Sequence, residues 1–128
     1  MTMTPKLIVL VEDDVNLRQS IALVLQSAGY LVTATDCIYK AMDFINSRKY
    51  DLIISDNNIS ETRKVLLPKI LGIHPYLSIV ILTDQSSSDV EKGARLLSAQ
   101  YLVKPIAPER LLDCVGTILG KQADSYAS

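Results

Sequence analysis

Four stretches of this 128-residue sequence end on residues able to do chemistry together: Glu12-Asp13-Asp14, Asp56-Asn57-Asn58, Thr83-Asp84 and Lys104-Pro105. Carboxylates gathered in a small space repel one another, so that some protonate or a cation binds among them. An oxygen-rich set of this kind suits a hard ion such as Mg2+, which keeps places for water and phosphate oxygens. A lysine ammonium and a threonine hydroxyl beside it can stabilise the spread negative charge of a transferring phosphoryl group. One carboxylate would then be the nucleophile and carry an acyl phosphate.

Taken singly, each residue has a plainer role. Acids after an apolar run commonly cap the next helix, as Asp14 is expected to do and as Glu12 or Asp13 alone would. A lone Asp56 is ordinary loop chemistry, Thr83 alone carries no message, and Lys104-Pro105 alone is a common turn. Their joint appearance in register, at the ends of four apolar runs, is what favours a shared site.

The elements that must position them are visible in the hydrophobic pattern. Apolar runs at 6–11, 31–35, 51–55, 77–82 and 101–103 are rich in Leu, Ile and Val and are predicted strands. Helical spacing fills the gaps. Leu17, Ile21, Val24, Leu25 and Ala28 share one face and precede Gly29 at a helix C-terminus. Ile38, Ala41, Met42 and Ile45 repeat the spacing, as do Leu66, Leu67, Ile70, Leu71 and Ile73, with Pro68 in the first turn or at a kink. Ser88 and Glu91 form a capping box ahead of Ala94 and Leu97, and Pro108 opens a last helix carrying Leu111, Leu112, Val115 and Ile118.

Five βα repeats predict an α/β fold with a parallel sheet. Runs 7–11, 53–54 and 79–82 are apolar on both faces and suit central strands. Run 31–35 is interrupted by threonines and 101–103 is short, which suits edges. The strand order 2-1-3-4-5 satisfies both, although periodicity alone does not fix it. In such sheets the carboxyl ends of the strands form the binding edge, and there the acids, Thr83 and Lys104 stand.

Composition narrows the function. With 48% hydrophobic and 21% charged residues, the chain is expected to fold as one domain over 1–128, its core at about 6–120 and a frayed tail at 121–128. The formal net charge of −1, from 13 basic and 14 acidic residues, argues against direct binding of nucleic acid or an anionic membrane. No apolar run approaches the length of a signal core or a membrane span, so a cytoplasmic location is expected. Cys37 and Cys114 lack metal or redox spacing and are expected to be small apolar fillers.

The segments LIVLVEDDVNLR, DLIISDNN, IVILTD and YLVKPI together resemble the receiver domain of two-component response regulators of the chemotaxis-regulator kind. The resemblance runs from Lys6 to about Leu119. It implies a flavodoxin-like (βα)5 doubly wound sheet of order 2-1-3-4-5 and phosphorelay signal transduction. Residue by residue, it implies that Asp56 is the phosphoacceptor, that Asp13 binds Mg2+ directly and that Glu12 acts through water. The backbone carbonyl of Asn58 would complete the metal site. Lys104 would pair with the phosphoryl group, Thr83 would move toward it, and the rotamer of Tyr101 would follow. A cis bond before Pro105 is also implied. The implied donor is a sensor histidine kinase or phosphotransfer protein. A downstream effector would meet the face of the fourth helix, fifth strand and fifth helix. Such a chain is not an enzyme beyond catalysing its own phosphorylation and dephosphorylation.

The sequence also departs from that family. The stretch Asn58-Ile59-Ser60-Glu61-Thr62-Arg63 lacks the usual proline and glycine and is one residue short. The segment between Thr83 and Lys104 is one residue short as well, and Asp84 fills a place that is usually small. These departures support an alternative, a receiver-fold interaction module that is not functionally phosphorylated. A small-molecule aspartyl-phosphate hydrolase is disfavoured because Asn58 stands where a second aspartate is needed. Nucleotide binding is disfavoured because no glycine loop follows the first strand.

Overall fold

The computed structural model describes residues 4–56, 69, 72–84 and 99–120. Its elements run β1 (Leu7–Val11), α1 (Val15–Ser27), β2 (Leu31–Thr35), α2 (Ile38–Ser47), β3 (Leu52–Asp56), β4 (Ser78–Thr83), β5 (Gln100–Val103) and α3 (Pro108–Leu119). The strands form one five-stranded sheet of order β2-β1-β3-β4-β5, every pair parallel. This is the flavodoxin-like order expected from the sequence.

Alternation along the strands divides the core into two layers. Val9, Val11, Ile53, Ile79 and Ile81 point to the layer that α2 closes with Ile38, Ala41 and Ile45. Ile8, Leu10, Leu52, Ile54, Val80, Leu82 and Leu102 point to the other, closed by Ile21 and Leu25 of α1 and Leu111 and Val115 of α3. β3 is buried throughout, whereas β2 and β5 carry exposed positions, as the sheet edges must.

Local signals set the helix ends nearest the site. Asp14 is extended, and its Oδ1 accepts the N–H groups of Asn16 at 2.9 Å and Leu17 at 3.1 Å, which starts α1. At the other end Gly29 has φ of 96°, and its N–H donates to Gln26 O at 3.0 Å while that of Tyr30 donates to Leu25 O at 3.2 Å. This paired closure requires the left-handed backbone that glycine adopts without strain.

Two strands, β3 and β4, end one residue later than the hydrophobic pattern predicts. Asp56 and Thr83 are strand residues paired with Leu82 and Val103, because the ladder continues past the last apolar side chain. β5 begins one residue earlier than expected, at Gln100. Most of the two helical segments expected between β3 and β4 and between β4 and β5 lies outside the described residues, with Pro68 and the Ser88/Glu91 box; so does the tail at 121–128. Cys37 and Cys114 are free and half-buried, without a disulfide.

Candidate functional site

The carboxyl ends of β1, β3, β4 and β5 lie side by side, and the chain turns there in a way that fixes each side chain. Glu12 follows β1 directly. Its N–H donates to Thr35 O at 3.0 Å, its carbonyl accepts from Arg18 Nη1 at 2.7 Å, and its Oε2 accepts the N–H of Asp14 at 3.2 Å. Its side chain is wholly buried, while the adjoining Asp13 is exposed. Asp56 closes β3 at 1% exposure, and Thr83 closes β4, also buried. The N–H of Lys104 donates to Thr83 O at 2.7 Å, which ties the lysine to the end of β4. The following Lys104–Pro105 bond is cis, as the resemblance implied.

Lys104 stands at the centre of this arrangement. Its Nζ lies 2.9 Å from Glu12 Oε1, 3.2 Å from Asp56 Oδ1 and 4.0 Å from Asp84 Oδ1. The contact to Asp56 is a hydrogen bond; that to Glu12 Oε1 is a close ion pair outside hydrogen-bond angles. Oxygen atoms of Glu12, Asp13 and Asp56 all lie within 4.8 Å of one another. An all-carboxylate donor set of this spacing fits a hard divalent cation, so the described residues contain a cluster able to hold a metal ion.

The titration of the cluster follows from its burial. Desolvation, and then the neighbouring Asp56 carboxyl, push Glu12 up to about 7, against the pull of Lys104. Asp13 is held below the ordinary aspartate range by side-chain hydrogen bonds with Glu12 and then Asp56. Burial acts to lower the Lys104 pKa, but its pairing with Glu12 and Asp56 outweighs that and raises it.

The expected site residues thus divide. Glu12, Asp13, Asp56 and Lys104 come together, and Asp84 reaches the rim with its side chain 58% exposed. Tyr101 is half-buried and pairs with Ile81, two residues before Thr83, so Tyr101 and Thr83 share a face of the sheet one pleat apart. Asn58 lies outside the described residues. Sequence reasoning missed two relationships: the direct pairing of Lys104 with Glu12, and the bond from Arg18 to the Glu12 carbonyl. The second had a signal. A cation four residues after an N-cap faces the positive end of its own helix, an unfavourable placement that invites a local explanation.

A family model for the response regulator receiver domain matches residues 8–116. The chain belongs to that family. Among curated relatives of this receiver, response regulator protein FleR of Pseudomonas aeruginosa is 31% identical over 91% of the chain and 26% of its own length. Two-component response regulator ARR10 of Arabidopsis thaliana is 30% identical over 79% of the chain and 19% of its own length. The receiver therefore spans about a fifth to a quarter of the length of these relatives. The solved chemotaxis protein CheY4 of Vibrio cholerae superposes with a TM-score of 0.83 at 27% identity, covering 91% of this chain and 100% of that one. A receiver fold with such an acidic cluster is an arrangement for self-phosphorylation and dephosphorylation, not for turnover of a separate substrate. Among the described residues no helix is long and apolar enough to cross a membrane.

Proposed function

We propose that Asp56 accepts a phosphoryl group from a phosphohistidine of a sensor histidine kinase or phosphotransfer protein, and that the chain is one receiver domain with its core at about 6–120. The observation that carries this reading is the position of Asp56. Its carboxylate is buried at a strand end, 3.2 Å from the Lys104 ammonium and beside the carboxylates of Glu12 and Asp13. Attack by a carboxylate oxygen on phosphorus forms the acyl phosphate as the phosphorus–nitrogen bond to the donor imidazole breaks.

The oxygen donors support Mg2+ as the bound ion, with Asp13, Glu12, Asp56 and the Asn58 backbone carbonyl as its holders. When bound, it offsets the charge of the phosphoryl oxygens. The chain's own groups do the rest. Lys104 keeps the Asp56 carboxylate in place and presents an ammonium to the arriving oxygens. Thr83, tied through its backbone to Lys104, offers a hydroxyl from the next strand. Displacement of Thr83 toward the phosphoryl group would free space on the face it shares with Tyr101. That supports a shift in population at the surface around β5 and α3, where an effector would bind.

Incubation with a small phosphodonor such as acetyl phosphate, with and without Mg2+, tests the assignment by intact mass. The parent should gain one phosphoryl group only with Mg2+, and Asp56→Asn should gain none. Equal labelling of Asp56→Asn would refute it, and a parent that never labels would favour the interaction-module alternative.

A further inference from the structure

We infer that Arg18 is a positioning residue for the acidic cluster, holding the peptide between Glu12 and Asp13 in the orientation that brings Asp13 to the metal. The inference rests on the proposed metal site. Arg18 lies on α1, with its own N–H donating to Asp14 O at 2.9 Å in the first turn of backbone bonding. Its side chain reaches back over the helix N-terminus, where Nη1 donates to the Glu12 carbonyl at 2.7 Å. The bond is short and charge-assisted, the stronger kind.

The target of that bond gives it its consequence. Glu12 lies beyond the last residue of β1, so its carbonyl is not part of the β1 ladder. Its N–H is fixed by Thr35 O at 3.0 Å, its side chain by the Asp14 N–H and Lys104. The carbonyl is the remaining handle on this turn. Because the peptide unit is planar, fixing the carbonyl of Glu12 also fixes the N–H of Asp13 and the direction in which Asp13 leaves the chain. Asp13 is exposed, so packing does little to hold it, yet its oxygen lies within 4.8 Å of those of Glu12 and Asp56.

The placement also runs against local preference. A cation near a helix N-terminus opposes the macrodipole, and after the Asp14 cap the first turn of α1 contains no further acid beside it. A residue kept in an unfavourable local setting points to a gain elsewhere, and the Glu12 carbonyl is where this guanidinium makes it.

The test measures Mg2+ affinity of the full chain by titration followed in amide spectra, for the parent and Arg18→Met, at low and high salt. Loss of one orienting bond should weaken Mg2+ by about three- to tenfold. Removing a cation also removes some repulsion of Mg2+, which salt screens, so the deficit should be at least as large at high salt as at low. A folded Arg18→Met with parental affinity at high salt overturns the inference. So does a variant that binds Mg2+ more tightly than the parent at low salt and equally at high salt, because the arginine would then act only as a repelling charge. If Arg18→Met does not fold, Arg18→Lys is measured instead; its shorter side chain should lose affinity in the same direction, and parental affinity there overturns the inference equally. A parent that binds no Mg2+ contradicts the proposed metal site itself, before any variant is compared.

Discussion

Lys104 and Glu12 form an ion pair of 2.9 Å in which the carboxylate is wholly buried and the lysine side chain is 15% exposed. With Asp56 Oδ1 at 3.2 Å from the same ammonium, Lys104 is the cation that the described residues place inside the Glu12, Asp13 and Asp56 cluster. A metal ion held by this cluster would therefore share its carboxylates with Lys104.

Removing the ammonium should expose that sharing. Lys104→Met takes the ammonium away from two buried carboxylates, and breaking a buried pair typically costs about 3 kcal/mol or more. Denaturant unfolding in EDTA should show the loss, and added Mg2+ should restore more stability to the variant than to the parent. Equal stabilisation of the two proteins by Mg2+ would show that lysine and metal do not share the site.

Glu12 predicts a pH dependence of defined sign. Its folded pKa is raised from 4.5 to about 7, so protonated Glu12 favours the folded state. That contribution is fully present below about 4.5 and is lost as pH rises through about 7. Asp13, whose pKa is lowered from 3.8, acts in the opposite sense and below this window. Without metal, the parent should lose roughly 1–3 kcal/mol across the interval relative to Glu12→Gln, at about 1.4 kcal/mol per unit. Unfolding curves at stepped pH in EDTA measure it, and parallel curves for the two proteins would contradict it.

Asp84 should slow labelling by small dianionic donors. Its carboxylate is 58% exposed at the rim and 4.0 Å from Lys104, where it repels an arriving phosphate and competes for the ammonium. Asp84→Ala should label about two- to fivefold faster than the parent at low salt, the gap closing as salt rises. Unchanged rates at low salt would show that Asp84 only borders the site.

The link from Thr83 to Tyr101 can be read apart from labelling. Thr83→Ala should take up a phosphoryl group nearly as the parent does, since Lys104 and the acids are untouched. Amide exchange with and without beryllofluoride should then show a reduced change along β5 and α3. An undiminished change in the variant would remove Thr83 from the coupling.

Much of the fold was legible because it rests on local pattern. The two-faced apolar runs of β1, β3 and β4 announce central strands, the Asp14 cap and Gly29 closure delimit α1, and Pro108 opens α3. The site was legible as a set of strand ends but not in its wiring. Asp56 and Thr83 pattern as loop residues, yet continued pairing with Leu82 and Val103 draws them into the ladder and buries them. Such burial is tolerable because Lys104 arrives beside Asp56 from 48 positions further along, a contact that no local period encodes. The place of Arg18 after the Asp14 cap signals an unusual cation, but only the fold shows the carbonyl it meets. Asn58, expected beside the metal, lies outside the described residues.

The most direct test of the central claim is to locate the phosphoryl group chemically. Borohydride reduces an aspartyl phosphate to homoserine, so protein phosphorylated in Mg2+ can be reduced, digested and mapped by mass. Homoserine should appear at position 56 and at no other acid of the cluster. Homoserine at Asp13 or Asp84, or its absence from a protein that has gained a phosphoryl group, would contradict the account.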